Sequence, residues 1–189
     1  MKRYQWMILV TAVIFILTAL TELWMGRLPW GPDGNFGWWE GNIWSNENSQ
    51  RVADLYSFTH IEHGLLFYGF LWLIAKKIPV QYRFLIALGL EAGWEILENS
   101  PLIIDRYRAV TISLGYVGDS VLNSLSDIVM MCIGYLAAYR LQVWMSITAF
   151  AVAEILLLFL IRDNLILNII MLIYPIIAIK HWQMMGQPV

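Results

Sequence analysis

Three short runs of this sequence carry side chains that can do chemistry together. The first, Tyr56-Ser-Phe-Thr-His60-Ile-Glu62-His63-Gly64, sets two imidazoles three positions apart. That spacing puts both on one helical face, where they can hold a metal ion or relay a proton. Glu62 points to another side of the same helix. The second run, Glu91-Ala-Gly-Trp94-Glu95-Ile-Leu-Glu98-Asn99, spaces Glu91, Glu95 and Glu98 at i, i+4 and i+7, one acidic stripe. The third, Gly118-Asp119-Ser-Val-Leu-Asn123-Ser-Leu-Ser-Asp127, aligns Asp119, Asn123 and Asp127 at i, i+4 and i+8. Asp119 also has the residue type of a helix N-cap, whereas Asp127 lies two turns deeper.

Imidazole combined with carboxylate suits zinc, iron or manganese, with zinc the first choice and iron the second. With Cys132 the one cysteine, neither an internal disulfide nor a cysteine-based zinc site is possible. The expected centre is one divalent ion on His60, His63, Glu95 and Asp127. Glu95 or Glu98 is then the general base, and Asp119, Asn123 and Asp127 complete the catalytic set. At the rim, Arg106, Arg162 and Asp105 are the candidate substrate contacts, the arginines as partners for a phosphate. No Ser–His–Asp order is recognisable, so the set reads as a metal site rather than a nucleophilic one.

The elements that must position these groups are membrane helices. The chain is 59% hydrophobic and 14% charged, against about 45–50% and about 25% for a soluble domain. The excess falls in six runs, Trp6–Leu23, Phe58–Ala75, Phe84–Ser100, Asp119–Tyr139, Val143–Ile161 and Leu165–Ile179. Each is near the roughly 17–25 residues needed to cross a bilayer. The expected fold is all-α, a polytopic bundle of six transmembrane helices forming a single domain over residues 1–189. The N-terminal run lacks a small-x-small cleavage site and reads as a retained span rather than a signal peptide. Pro101 breaks the chain after the third run.

Lys2, Arg3, Lys76, Lys77, Arg83, Arg140 and Lys180 all fall on one side of this arrangement, in segments free of Asp and Glu. The positive-inside rule puts that side, and both termini, in the cytoplasm. The polar stripes then occupy the outer halves of their helices. A charge at mid-bilayer costs at least about 2.5–3.5 kcal/mol, so ionisable groups there have a partner or a job. Glu154, mid-way along the fifth run, should face the interior. Arg162-Asp163-Asn164 reads as a tight outer turn with an Arg–Asp surface pair, and Asn168 as a group that bonds across helices. The long outer loop, residues 25–57, carries Trp30, Trp38, Trp39 and Trp44 and is expected to close over the site from the headgroup region.

Ser49-Gln50, Asp54-Leu-Tyr56-Ser-Phe-Thr-His60, His63-Gly64, Trp94-Glu95-Ile-Leu-Glu98-Asn99, Ile104-Asp105-Arg106-Tyr107-Arg108, Gly118-Asp119-Ser120-Val121, Asn123-Ser124, Ser126-Asp127 and Arg162-Asp163-Asn164-Leu165 together resemble an uncharacterised family of proteobacterial inner-membrane proteins, labelled a domain of unknown function. The resemblance covers nearly the whole chain. It implies a multi-pass inner-membrane location and no particular reaction. A weaker likeness links the chain to VanZ-like membrane proteins. A weaker one still links it to the lipoprotein signal peptidase, with Asp119 and Asp127 as the acidic pair.

Three classes of function are compatible with these residues. One is a metal-dependent hydrolase or transferase acting on a lipid or lipid-linked substrate at the outer leaflet. Another is a binding or transport protein for an ion or small solute, and the third is an accessory subunit of a larger membrane complex. Membrane lipids, and other membrane proteins in the subunit case, are the expected partners. No Lys/Arg cluster is long enough to point to nucleic acid.

Overall fold

Residues 3–187 are described by a computed structural model, and its fold is all-α. Lys2, Val189 and the side chain of Arg3 lie outside the described residues. The chain begins with α1 (Arg3–Trp24). A loop follows in which β1 (Trp39–Glu40) and β2 (Ala53–Asp54) pair in parallel. Then come α2 (Ser57–Ile74), α3 (Val80–Glu98), α4 (Pro101–Val110), α5 (Val121–Arg140), α6 (Val143–Ile161), α7 (Leu165–Ile173) and α8 (Ile177–Met184).

Three helices, α1, α5 and α6, are long and apolar enough to cross a membrane. Helices α2 and α3 match them in length, at 18 and 19 residues, but the imidazoles and carboxylates they carry interrupt the apolar run. Polarity is inverted relative to a water-soluble protein. Glu22, Glu62, Glu91, Glu95 and Asn123 are buried, while Leu20, Val143, Ile147, Phe159 and Leu160 are exposed. Such a surface is compatible with membrane association.

The helix boundaries differ from the sequence expectation in four places, each for a local reason. Pro79, with φ of −54°, introduces α3 at Val80, a turn before Phe84. Pro101 ends the third run and also opens α4, where its missing N–H is no loss. The cap of α5 is Ser120, whose hydroxyl accepts from the Asn123 amide at 3.2 Å. Asp119 is therefore neither the cap nor part of the helix, and it reaches the interior from the preceding loop.

The largest departure is the run Leu165–Ile179, which is not one crossing helix. Pro175 cannot continue α7, and Tyr174 before it is pushed out of helical geometry, with φ −137° and ψ 88°. Helix α8 then doubles back. Gln183 Nε2 donates to Asp163 Oδ1 at 3.0 Å, and Arg162 Nη1 donates to the Trp182 carbonyl at 3.0 Å. The end of α8 thus lies beside the start of α7. Nine residues of α7 rise only about 14 Å, roughly half a bilayer core. Lys180, expected at the inner end, donates instead to the Ala109 carbonyl of α4 at 2.8 Å.

Helices α2, α3 and α5 share the core, built from Leu71, Leu88, Ile128, Met131 and Tyr135. α2 and α5 approach most closely at Gly64 and Gly134. A methyl group on Gly64 would strike the Met131 carbonyl oxygen and the Tyr135 amide, and one on Gly134 would strike the Ile61 carbonyl. This backbone-to-backbone crossing brings the first turns of α2 alongside Asp127 of α5.

Candidate metal centre and cavity

Asp54 organises the start of α2. Its Oδ1 accepts from the amides of Tyr56 (2.7 Å) and Ser57 (3.2 Å), its Oδ2 accepts from Ser49 N (2.8 Å), and the Ser57 hydroxyl accepts from Asp54 N (3.1 Å). The helix therefore starts at a fixed rotation, with His60 and His63 turned toward α3 and Glu91.

Glu91 holds both imidazoles. His60 Nδ1 lies 2.7 Å from Glu91 Oε1, and His63 Nδ1 lies 3.1 Å from each Glu91 oxygen. A carboxylate accepting from both Nδ1–H groups leaves each Nε2 as the nitrogen with a lone pair, the arrangement that orients metal-binding histidines. His60 Nε2 stands 3.8 Å from Asp127 Oδ2. Two ligands at about 2.0–2.2 Å from one zinc ion can be no more than about 4.4 Å apart, so this pair can share an ion.

Glu95 Oε1 is 3.3 Å from His60 Nδ1, a nitrogen already committed to Glu91. Both Glu95 oxygens and Asp127 Oδ1 are buried without a hydrogen-bond partner among the described residues. Ligand atoms of His60, His63 and Glu91, and separately of His60, Glu95 and Glu98, lie within 4.8 Å of one another. His60 belongs to both groups. Buried carboxylate oxygens without donors, beside two oriented imidazoles, form a donor set that fits a divalent cation.

The cluster forms one wall of a cavity of about 330 Å³. His60, His63, Glu98, Asp119, Asn123 and Asp127 supply its polar lining. Leu66, Phe67, Leu165, Ile169 and Leu172 supply an apolar side. Glu91 and Glu95 are not among the residues that line it. Asn123 is held by its Nδ2 bond to the Arg51 carbonyl at 3.0 Å. Asp119 accepts from the Tyr116 hydroxyl at 2.9 Å, and its own amide donates to Asn99 Oδ1 at 2.7 Å. Burial in this loop pushes the Asp119 carboxyl up to about 7. A second cavity of about 250 Å³, lined by Trp44, Asn46, Gln50 and Leu114, shares Asn48, Ser113 and Tyr116 with the first.

The three rim residues do not reach the cavity. Arg106 Nε donates to the Leu172 carbonyl at 2.9 Å and so closes the end of α7. Arg162 is turned to Trp182, with its guanidinium 5.6 Å from the ring centre. Asp105 is exposed and lies 3.5 Å from Arg108. The expected Arg162–Asp163 pair is absent among the described residues. Asp163 is buried, accepting from Gln183 and from the Tyr56 hydroxyl at 3.2 Å. Burial pushes its carboxyl up to about 6. Arg106 and Arg162 were expected at an aqueous rim and Asp163 at the surface beside Arg162, but the Leu172 and Trp182 carbonyls and the buried Gln183 amide engage them instead.

The tryptophan loop also behaves differently. Trp38 and Trp39 face outward, and the loop reaches the main cavity through Asn48, Ser49 and Tyr56. The tryptophan at the main cavity is Trp94. Glu154 does face the interior, where its Oε1 accepts from the Leu165 amide at 2.8 Å and caps α7. Asn168 accepts from the Tyr107 hydroxyl of α4 at 3.1 Å, a bond between helices.

Periodicity placed Glu91 in the acidic stripe with Glu95 and Glu98 but gave it no role and no link to the histidines. Tyr56, four residues before His60 and on its face, was a readable signal. Tyr107 stood in one of the family strings without a role, and Tyr116 had no signal, because the segment that holds it shows no apolar run.

Residues 22–185 match the family described as "Protein of unknown function (DUF2585)". A UPF0314 protein of Sphingopyxis alaskensis is 49% identical over 185 residues, covering 98% of this chain and 97% of its own length. One from Paracoccus denitrificans is 49% identical over 173 residues (92% and 90%), and one from Rhizobium etli is 48% identical over 183 residues (96% and 93%). No solved structure matches. By a match over most of its length and by relatives this similar, the chain belongs to the DUF2585 family, a proteobacterial family of unknown function.

Proposed function

We propose that this protein is a multi-pass enzyme of the bacterial inner membrane that hydrolyses, or transfers a group on, a lipid-linked substrate from the outer leaflet, using one divalent ion. The observation that carries the proposal is the His60–Asp127 pair with unsatisfied Glu95 and Asp127 oxygens beside a cavity that is apolar on its other side. His60 and Asp127 are the central ligands, His63 and Glu95 complete the set, and Glu91 orients the imidazoles. The ion would polarise a carbonyl or phosphoryl oxygen and lower the pKa of a bound water. Glu98, at the cavity surface, would serve as the base that accepts its proton. Asp119, titrating near neutrality, returns one to the leaving group.

An acyl or prenyl chain fits the side lined by Leu66, Phe67, Leu165, Ile169 and Leu172. The adjoining cavity, with Trp44, Asn46 and Gln50, suits an uncharged polar headgroup. Among the described residues no Lys or Arg lines either cavity, so a phosphate there would depend on the ion for its counter-charge. The test is a deletion strain complemented with Glu98→Gln or Asp127→Asn. Under the proposal both variants accumulate as folded protein, and the lipid or lipoprotein profile stays that of the deletion. An unaltered profile in the deletion strain under several growth conditions would sink the enzyme reading and leave bracing of the bundle.

The same reading sets the topology. Lys76, Lys77, Arg83 and Arg140 mark the cytoplasmic end. Five crossings, α1, α2, α3, α5 and α6, start from a cytoplasmic N-terminus. The α7–α8 hairpin stays on the outer side, because Gln183 meets Asp163 there. The C-terminus is then periplasmic rather than cytoplasmic. A periplasm-only reporter fused after Gln187 is expected to be active. Activity from a cytoplasm-only reporter at that point would restore six crossings.

A further inference from the structure

Arg83 is only 9% exposed, yet its Nε and Nη1 have no hydrogen-bond partner among the described residues. No carboxylate among the described residues pairs with it. Its guanidinium carbon lies 6.0 Å from the ring centre of Tyr68, and that ring packs at 5.2 Å against Tyr135. Tyr135 is 1% exposed, and its hydroxyl is also without a partner among the described residues. Three unsatisfied polar atoms of one aromatic and basic cluster thus gather at the end of the bundle opposite the His60 cavity, about 18 Å along α3 from Glu95.

A buried guanidinium with two of its three nitrogens unsatisfied is costly for a fold to carry. Here the position adds to the cost. Arg83 sits in the first turn of α3, where the helix dipole presents positive partial charge and disfavours a cation. Lys76, Lys77 and Arg140 stand at the same end, and residues 64–90 and 128–153 contain no Asp or Glu. The missing element is an anion. A phosphate satisfies the guanidinium fork, accepts from a phenol and neutralises the helix end in one step. Phospholipid phosphates lie at the level where membrane helices end.

We propose that Arg83 and the Tyr135 hydroxyl bind a phosphate group, supplied by a phospholipid headgroup, at this end of the bundle. The site is separate from the His60 cavity and does not depend on the enzymatic reading. The test is thermal melting of the full-length protein in a sugar-headgroup detergent. The additions are phosphatidylglycerol, a diacylglycerol of the same chains, or inorganic phosphate.

Phosphatidylglycerol at a roughly hundredfold excess over its Kd should raise Tm by roughly 5–10 °C, and diacylglycerol should not. Arg83→Gln should lose the rise. Tyr135→Phe, which keeps the ring packing, should need about tenfold more lipid for half the rise. A rise with inorganic phosphate as well would support the site and name free phosphate as a sufficient ligand. Equal rises with diacylglycerol and phosphatidylglycerol, or a full rise in Arg83→Gln, would overturn it. Should Arg83→Gln fail to fold, Tyr135→Phe decides, and an unchanged half-saturation counts against the proposal.

Discussion

Alanine at Gly64 or Gly134 is expected to cost this protein about 3 kcal/mol or more. In both cases the added methyl meets backbone of the facing helix, Met131 and Tyr135 on one side, Ile61 on the other. Backbone cannot rotate away as a side-chain tip can, so relief requires α2 and α5 to separate. Separation opens the core around Ile128, Met131 and Tyr135, and it pulls His60 away from Asp127, now 3.8 Å apart. The melting temperature should fall by roughly 10 °C for each single variant. The double variant should not recover, because two methyls meet a gap neither fits. Gly69 and Gly93 serve as controls on α2 and α3, since open space surrounds their added methyls. Melting curves of detergent-purified variants decide the matter. Equal stability of Gly64→Ala and Gly69→Ala would show that the crossing is looser than described.

The other large effect is on metal content. Under the proposed function, wild-type protein purified without a histidine tag should retain close to one zinc or iron per chain. His60→Ala should reduce this to background, because His60 is common to both groups of converging ligand atoms. Glu91→Gln is the more informative change. A glutamine can accept at its carbonyl oxygen, but its amide would face one of the two Nδ1–H groups that Glu91 now accepts at 2.7 and 3.1 Å. One imidazole then loses its orientation. Losing such an outer partner weakens metal binding by about 10–100-fold. Elemental analysis gives the content and competition with a chelator gives the affinity. Unchanged affinity in Glu91→Gln would remove the orienting role. Metal-free wild type, prepared without chelator, would remove the ion altogether and leave proton transfer among the carboxyl groups.

Much of the candidate site was legible because ionisable residues are conspicuous in apolar runs. Periodicity put His60 with His63 and Glu91 with Glu95, and Asn123 with Asp127, since those relations lie within one helix. Contacts between helices were not legible. Nothing in the spacing says that Glu91, rather than Glu95, takes both imidazoles. That depends on how far α2 and α3 slide past each other, which Asp54, Pro79 and the Gly64–Gly134 crossing set. The rim arginines misled for a related reason. Charge and position suggested a phosphate, but Arg106 satisfies the Leu172 carbonyl, which a continuous sixth helix would not have left free, and Arg162 satisfies the Trp182 carbonyl, which only the fold-back of α8 brings within its reach.

Hydropathy measures whether a segment prefers an apolar environment and carries no information on its direction. The sequence alone therefore determined an all-α chain, the apolar runs, the in-helix stripes and the family. It also held the signal it did not yield, Pro175 within the run from Leu165 to Ile179. Only the tertiary structure decided that this run folds back on itself. The choice between a crossing helix and a hairpin rests on long-range bonds, Gln183 to Asp163 and Lys180 to Ala109. It likewise decided which carboxylates meet which imidazoles, because such pairings depend on the relative placement of rigid helices and not on the residues of any one of them.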